Sequence, residues 1–308
     1  MAITLTQLLD KMFAGDEVAV ARLMTLVERE GKEVGPILEA LAPRLGNAFT
    51  IGITGPPGAG KSSLVDHLAA LIRKAGKTVG VVAIDPSSPF TGGALLGDRI
   101  RMSQHYLDKG VFIRSMATRG HLGGLSAATD AAVLVLDAAG KDIIIVETVG
   151  VGQDEVDIVG SADVSVVVLV PGAGDDVQAL KAGIMEIADI FVVNKADRDG
   201  ADGLAAAIES NLALAPAEAK AWRPPIVRTV ATQAVGISDL ADAVDGFRAS
   251  HASRSRERRR GRSEARLRAL VAHEFLARLE RDILGPGEFQ AMVSLIEARE
   301  VDPYSAAR

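Results

Sequence analysis

Residues 50–63 read Thr50-Ile51-Gly52-Ile53-Thr54-Gly55-Pro56-Pro57-Gly58-Ala59-Gly60-Lys61-Ser62-Ser63. Ile51 to Thr54 predicts a short apolar strand, the glycine-rich stretch a tight loop, and Ser63 to Ala75 a helix. Gly-x-x-x-x-Gly-Lys-Ser in that setting is a phosphate-binding P-loop. Its glycines let consecutive backbone amides turn inward, the helix N-terminus adds its positive end, and Lys61 supplies a point charge to the outer phosphates. Gly55, Gly58, Ala59, Gly60, Lys61, Ser62 and Ser63 are therefore the expected phosphate contacts, with the Ser62 hydroxyl offered to Mg²⁺.

Working outward, six further apolar runs follow at helix-length intervals: Val79 to Asp85, Val111 to Ser115, Ile143 to Thr148, Val164 to Val170, Ile190 to Val193 and Ile226 to Thr229. Seven strands with helices between them predict an α/β fold, a doubly wound, mostly parallel sheet covered on both faces. Residues 1–46 carry apolar positions at helical spacing and form a helical N-terminal extension, followed by a P-loop domain over 47–248. Beyond 248 strands cease. Residues 249–308 read as a long helix, a Gly-Pro-Gly break at 285–287 and a short final helix.

The strand Ile190 to Val193 runs into Asn194-Lys195-Ala196-Asp197. An aspartate here can accept the paired N1–H and N2–H donors of guanine, an edge adenine lacks. Lys195 would pack its stem along the base, and Asn194 would tie this loop to the P-loop. Ala231-Thr232, after the last strand, is the natural place for a backbone contact to the guanine O6. Together with the P-loop, the tetrapeptide predicts binding of GTP and GDP.

Carboxylates stand at or beyond other strand ends, where the crevice of a doubly wound sheet opens. Asp85 and Glu147 are candidates for the Mg²⁺ shell and, with Lys61, for catalysis; Asp98 follows the loop 86–97. Single carboxylates in such places also serve as helix caps or solubilisers. Glu147-Thr148-Val149-Gly150 stands where an Asp-x-x-Gly phosphate sensor is expected, its glycine amide available to the terminal phosphate. Three glycine-rich stretches, 86–97, 118–124 and 171–176, could change shape with nucleotide. By spacing alone Asp175, Gln178 and Lys181 read as a capped helix start with a polar face.

Asp85-Pro-Ser-Ser-Pro-Phe-Thr-Gly-Gly93, Leu96-Gly-Asp-Arg99, Arg119-Gly-His-Leu-Gly-Gly-Leu125, Glu147-Thr-Val-Gly-Val-Gly-Gln153 and Pro171-Gly-Ala-Gly-Asp-Asp-Val-Gln-Ala-Leu-Lys181 closely resemble the MeaB/ArgK family over roughly residues 1–250. That resemblance implies a GTPase of low intrinsic activity that acts as a chaperone for an adenosylcobalamin-dependent acyl-CoA mutase, gating cofactor loading and protecting or reactivating its partner. It also implies a homodimer, and a third switch in 171–181, which reverses the reading of Asp175, Gln178 and Lys181. By the same resemblance Asp85, Asp98 and Glu147 belong to the metal and switch environment. Ser63 departs from the threonine common there, and Ala231-Thr232 from a common Ser-Ala.

Composition narrows the alternatives. The 308 residues hold 34 Lys and Arg against 40 Asp and Glu, a net charge of −6, which argues against nucleic acid or an anionic membrane as partner. No secretory signal or membrane span is visible, so the chain reads as soluble and cytoplasmic. Cysteine is absent and the five histidines are scattered, which disfavours a nickel-handling GTPase. A P-loop kinase and an assembly factor with incidental hydrolysis remain as rivals. Between His251 and Arg268 lie eight arginines and two glutamates. Without a recognition motif, that run reads as a solvated helix in a C-terminal dimerisation or partner arm.

Overall fold

The structure is a computed structural model of the chain. It describes residues 3–29, 32–85, 105, 107–117, 124–148, 162–172, 184–214, 222–252, 285 and 287–307, with scattered positions of 260–279. Two compact units result, residues 1–254 and 255–308.

The first unit is built on seven strands: β1 (Phe49–Thr54), β2 (Val79–Asp85), β3 (Val111–Ala117), β4 (Ile143–Glu147), β5 (Val164–Leu169), β6 (Ile190–Asn194) and β7 (Ile226–Thr229). Their order is β3-β2-β4-β1-β5-β6-β7, and every pairing is parallel. All carboxyl ends therefore point the same way. β1, which feeds the P-loop, lies in the middle between β4 and β5.

Such strands are buried on both faces, which is why they read as near-continuous Val and Ile. Successive side chains divide between the faces. Ile143 and Ile145 join one core and Ile144 and Val146 another. The first core packs β1, β2, β4 and β5 against α4 (Lys61–Lys74) and the helix Ile237–Ser250. The second packs β2, β3 and β4 against α1 (Leu5–Phe13), α2 (Glu17–Glu28), α3 (Val34–Leu41) and the helix Gly124–Ala138. Leu23, Val27, Ile37 and Leu41 are fully buried there, so the helices of residues 1–46 share the sheet's core. Arg114 on β3 adds an ion pair to Glu28 of α2. A third cluster seats the helix Ala201–Leu214 on β5 and β6.

At the amino edge of the sheet an aspartate precedes three strands, and each carboxylate accepts from the neighbouring strand. Asp142 accepts from the Thr78 amide (2.7 Å), Asp163 from that of Thr50 (2.9 Å) and Asp189 from that of Ser165 (2.9 Å). These bonds fix the register at which each pair of strands begins.

In the second unit, the described positions of 260–279 are mostly helical, followed by the helices Glu288–Glu297 and Pro303–Ala306. Leu267, Val271 and Phe275, spaced by four, are each about 60% exposed, and Phe289, Met292 and Val293 are exposed as well. Among the described residues no helix is long and apolar enough to cross a membrane.

The Thr78 amide and then its hydroxyl hold the Asp142 carboxyl below its ordinary value. A depressed carboxyl contributes stability that is present above the unfolded value, about 3.9, and is lost as pH falls through the folded one. Asp142 is exposed, so the effect is screened and small. The urea midpoint of the wild type should fall between about pH 5 and pH 3, and fall less in Asp142→Asn; identical slopes would contradict this role.

Candidate functional site

The P-loop leaves β1 at Gly55 and enters α4 at Lys61. Gly55 has φ +141° and packs so closely on β5 that a Cβ would fall on the Val168 carbonyl oxygen. Gly60, with φ +89°, sits against the Asn194 side-chain amide in the same way. Larger residues would be strained at both points and would push the loop away from its neighbours. α4 has no side-chain cap. Its first amides, which no helix can pair internally, face the loop that an anion would fill.

Lys61 is 6% exposed, and its ammonium donates to the carbonyls of Gly55 (2.6 Å) and Pro56 (3.1 Å). Ser62 Oγ donates to Glu147 Oε1 at 2.7 Å. Thus the last residue of β4, 4% exposed, meets the first turn of α4. Next to it Thr148 Oγ1 donates to Thr54 Oγ1 at 2.9 Å.

Asn194 ends β6 and is 1% exposed. Its Nδ2 donates to the Ala59 carbonyl at 2.7 Å, while Oδ1 accepts from Thr229 Oγ1 and from the Ala231 amide, both at 3.0 Å. One amide group thereby joins the P-loop, the end of β7 and the turn after it. Lys195 takes a left-handed conformation, φ +55°, and its ammonium donates to the Gly58 carbonyl at 2.7 Å. Left-handed backbone is uncommon for lysine and marks a locally constrained turn. The Ala196 amide donates to the Thr229 carbonyl, which leaves Asp197 exposed at the crest of the loop.

The residues singled out from sequence thus fall into three groups. Gly55, Gly58, Ala59, Gly60, Lys61, Ser62, Ser63, Glu147, Asn194, Lys195, Asp197 and Ala231 lie at the carboxyl ends of β1, β4, β6 and β7, in the strand ends, the loops that follow them and the first turn of α4. Asp85 ends β2 on the same edge, although only its backbone is described. Asp98, Gly150, Asp175, Gln178 and Lys181 lie outside the described residues. Of Ala231-Thr232, expected to offer a backbone contact to the guanine O6, Ala231 is buried with its amide bonded to Asn194, and Thr232 is exposed. Sequence reading passes over Thr54, Thr148 and Thr229 because threonine at a strand end is ordinary β chemistry. Only their hydroxyl partners set them apart.

A parallel sheet with a P-loop at its central strand and an Asn-Lys-x-Asp loop two strands away defines a P-loop nucleotide-binding protein of the guanine-reading class. Comparison with known proteins agrees. Residues 20–283 match the model of the methylmalonyl-CoA mutase-associated GTPase MeaB. A Pyrococcus abyssi protein whose name places it among the GTPases is 54% identical over 307 residues, covering 98% of this chain and 94% of its own length. GTPase ArgK of Escherichia coli is 38% identical over 252 residues, covering 80% and 76%. The crystal structure of a LAO/AO transport system kinase superposes with a TM-score of 0.75 at 27% identity, over 100% of this chain and 97% of that one. The chain belongs to the MeaB family of GTPases.

Proposed function

We propose that this GTPase works as a chaperone for an adenosylcobalamin-dependent acyl-CoA mutase, its nucleotide state gating cofactor loading and the protection or reactivation of its partner. The support is the family match together with one observation: the Asn194 side chain ties the phosphate loop to the base loop. A change at either end of a bound nucleotide is then felt at the other.

In this reading the α4 amides and Lys61 hold the phosphates, while the exposed Asp197 carboxylate accepts the two guanine donors. Lys195 lies along the base. The Ser62 hydroxyl directs its proton to Glu147, so its oxygen is the atom assigned to a hard cation. Ser62, Asp85, Asp98 and Glu147 are all oxygen donors, a set that suits Mg²⁺. When bound, the ion would neutralise charge on the phosphate oxygens. Catalysis is then positioning and charge stabilisation by Lys61, Asp85 and Glu147, with water attacking the terminal phosphate in line. Gly150 is assigned to the terminal phosphate. Asp175, Gln178 and Lys181 are assigned to the segment that reports nucleotide state to the mutase.

The C-terminal arm is assigned to a second copy of the chain. Its stripe Leu267-Val271-Phe275 has the spacing of one helix face and is exposed at all three positions. Arg260, before the stripe, and Arg268, between Leu267 and Val271 in sequence, are both exposed, and Arg268 pairs with Glu264.

Two measurements test the proposal. Steady-state assays of the wild type should yield GDP and phosphate slowly, with turnover reduced at least about a hundredfold in Lys61→Ala and raised by the partner mutase. Phosphate appearing on an acceptor instead would mean a kinase, and full turnover in Lys61→Ala would remove the site assignment. Light scattering should give a dimer mass for the wild type and a monomer for Val271→Asp/Phe275→Asp; an unchanged mass would reject the arm as the interface.

A further inference from the structure

We propose that Thr148 is a positioning residue for hydrolysis, its hydroxyl holding the Glu147 carboxylate in place against Ser62. This rests on the reading above that Ser62 and Glu147 form the metal and hydrolysis side of the site.

The β1–β4 ladder ends at Ile53 and Glu147. Thr148 lies one residue beyond it and makes two more attachments to β1. Its amide donates to the Ile53 carbonyl at 3.0 Å, and its hydroxyl donates to Thr54 Oγ1 at 2.9 Å. Both threonines are buried, Thr54 at 0% exposure and Thr148 at 3%. Thr54 is bonded in turn to Gly55, whose carbonyl receives the Lys61 ammonium; Ser62 follows Lys61, and its hydroxyl donates to Glu147. Thr148 then closes the ring: Thr54, Gly55, Lys61, Ser62, Glu147, Thr148.

Packing alone does not require hydroxyls at these two positions. The strand that Thr148 follows is Ile143-Ile144-Ile145-Val146-Glu147, and valine has the shape of threonine without the polar group. A buried hydroxyl that loses its partner is costly, whereas two apolar residues of the same shape are not. The pair is therefore informative about register, because a hydrogen bond between short side chains tolerates little displacement along the strands. It fixes how far the Glu147–Thr148 peptide reaches beyond β1. The carboxylate on Glu147 inherits that position.

The test compares Thr148→Val and Thr148→Ser in the full chain. Single-turnover GTP hydrolysis should fall about tenfold in Thr148→Val, and half-saturation by Mg²⁺ should rise severalfold, whereas GDP affinity measured by calorimetry should stay within about twofold. Thr148→Ser, which keeps the hydroxyl, should recover most of the loss. Thr54→Val removes the same contact from the other side, so the double variant Thr54→Val/Thr148→Val should be no slower than the more impaired single variant. Wild-type hydrolysis and Mg²⁺ dependence in Thr148→Val would overturn the inference. So would Thr148→Ser as impaired as Thr148→Val, or losses from the two valine variants that simply add. The underlying site reading has its own control. If Ser62→Ala leaves Mg²⁺ dependence unchanged, the site assignment itself fails; if Ser62→Ala is impaired while Thr148→Val is not, only the positioning role is lost.

Discussion

The geometry of the site depends on one buried amide. Asn194 donates to Ala59 in the phosphate loop and accepts from Thr229 and from Ala231 beside the last strand. Each such bond contributes about 1 kcal/mol net, but removing the amide would strand three buried partners at about 1–3 kcal/mol each. The arrangement is consequently all or nothing. It also explains Gly60, because any side chain there would displace the amide. Lys195 bonds to Gly58 from the same turn, so two consecutive residues of the base loop brace the phosphate loop.

A second brace acts from the other side of β1. Ser62, Glu147, Thr148 and Thr54 connect the start of α4 to the end of β4. The phosphate loop is thus held between two strand ends, β4 and β6, with β1 and β5 supplying the floor. Preorganisation of this kind spares a nucleotide site the entropy of ordering its own loop on binding. Residues 149–161, with Gly150, follow the end of β4, and residues 173–183, which hold the positions assigned to partner signalling, lie between β5 and β6.

Much of this was legible in the sequence, for identifiable reasons. Parallel strands buried on both faces leave unbroken Val and Ile runs, so all seven strands could be located, and only their ends shift by one or two residues. β1 begins at Phe49 rather than Ile51, and β3 runs to Ala117 rather than Ser115. The P-loop and the Asn-Lys-x-Asp turn are readable because backbone geometry and guanine chemistry restrict residue type. What could not be read depends on distance across the fold. The helical spacing of apolar positions in residues 1–46 gives helices, but not the burial of Leu23, Val27, Ile37 and Leu41 in the sheet's second core. Asp142, Asp163 and Asp189 look like loop residues until the neighbouring strand is beside them. Thr54 and Thr148 are 94 positions apart, and neither carries a local signal. In the arginine-rich arm the density of charge is plain in the sequence, whereas the shared exposure of Leu267, Val271 and Phe275 is seen only in the structure.

Recognition of guanine by a carboxylate at the crest of the β6 loop is the claim on which the functional account turns. Its direct measurement is a calorimetric comparison of Asp197→Asn with the wild type, titrating GTP and xanthosine triphosphate. Exchanging the carboxylate for an amide reverses the hydrogen-bonding demand on the purine 2-position. The account therefore predicts that the variant loses GTP affinity by at least about a hundredfold and gains xanthosine triphosphate by a comparable factor. Unchanged preference for GTP in a folded Asp197→Asn protein would contradict it.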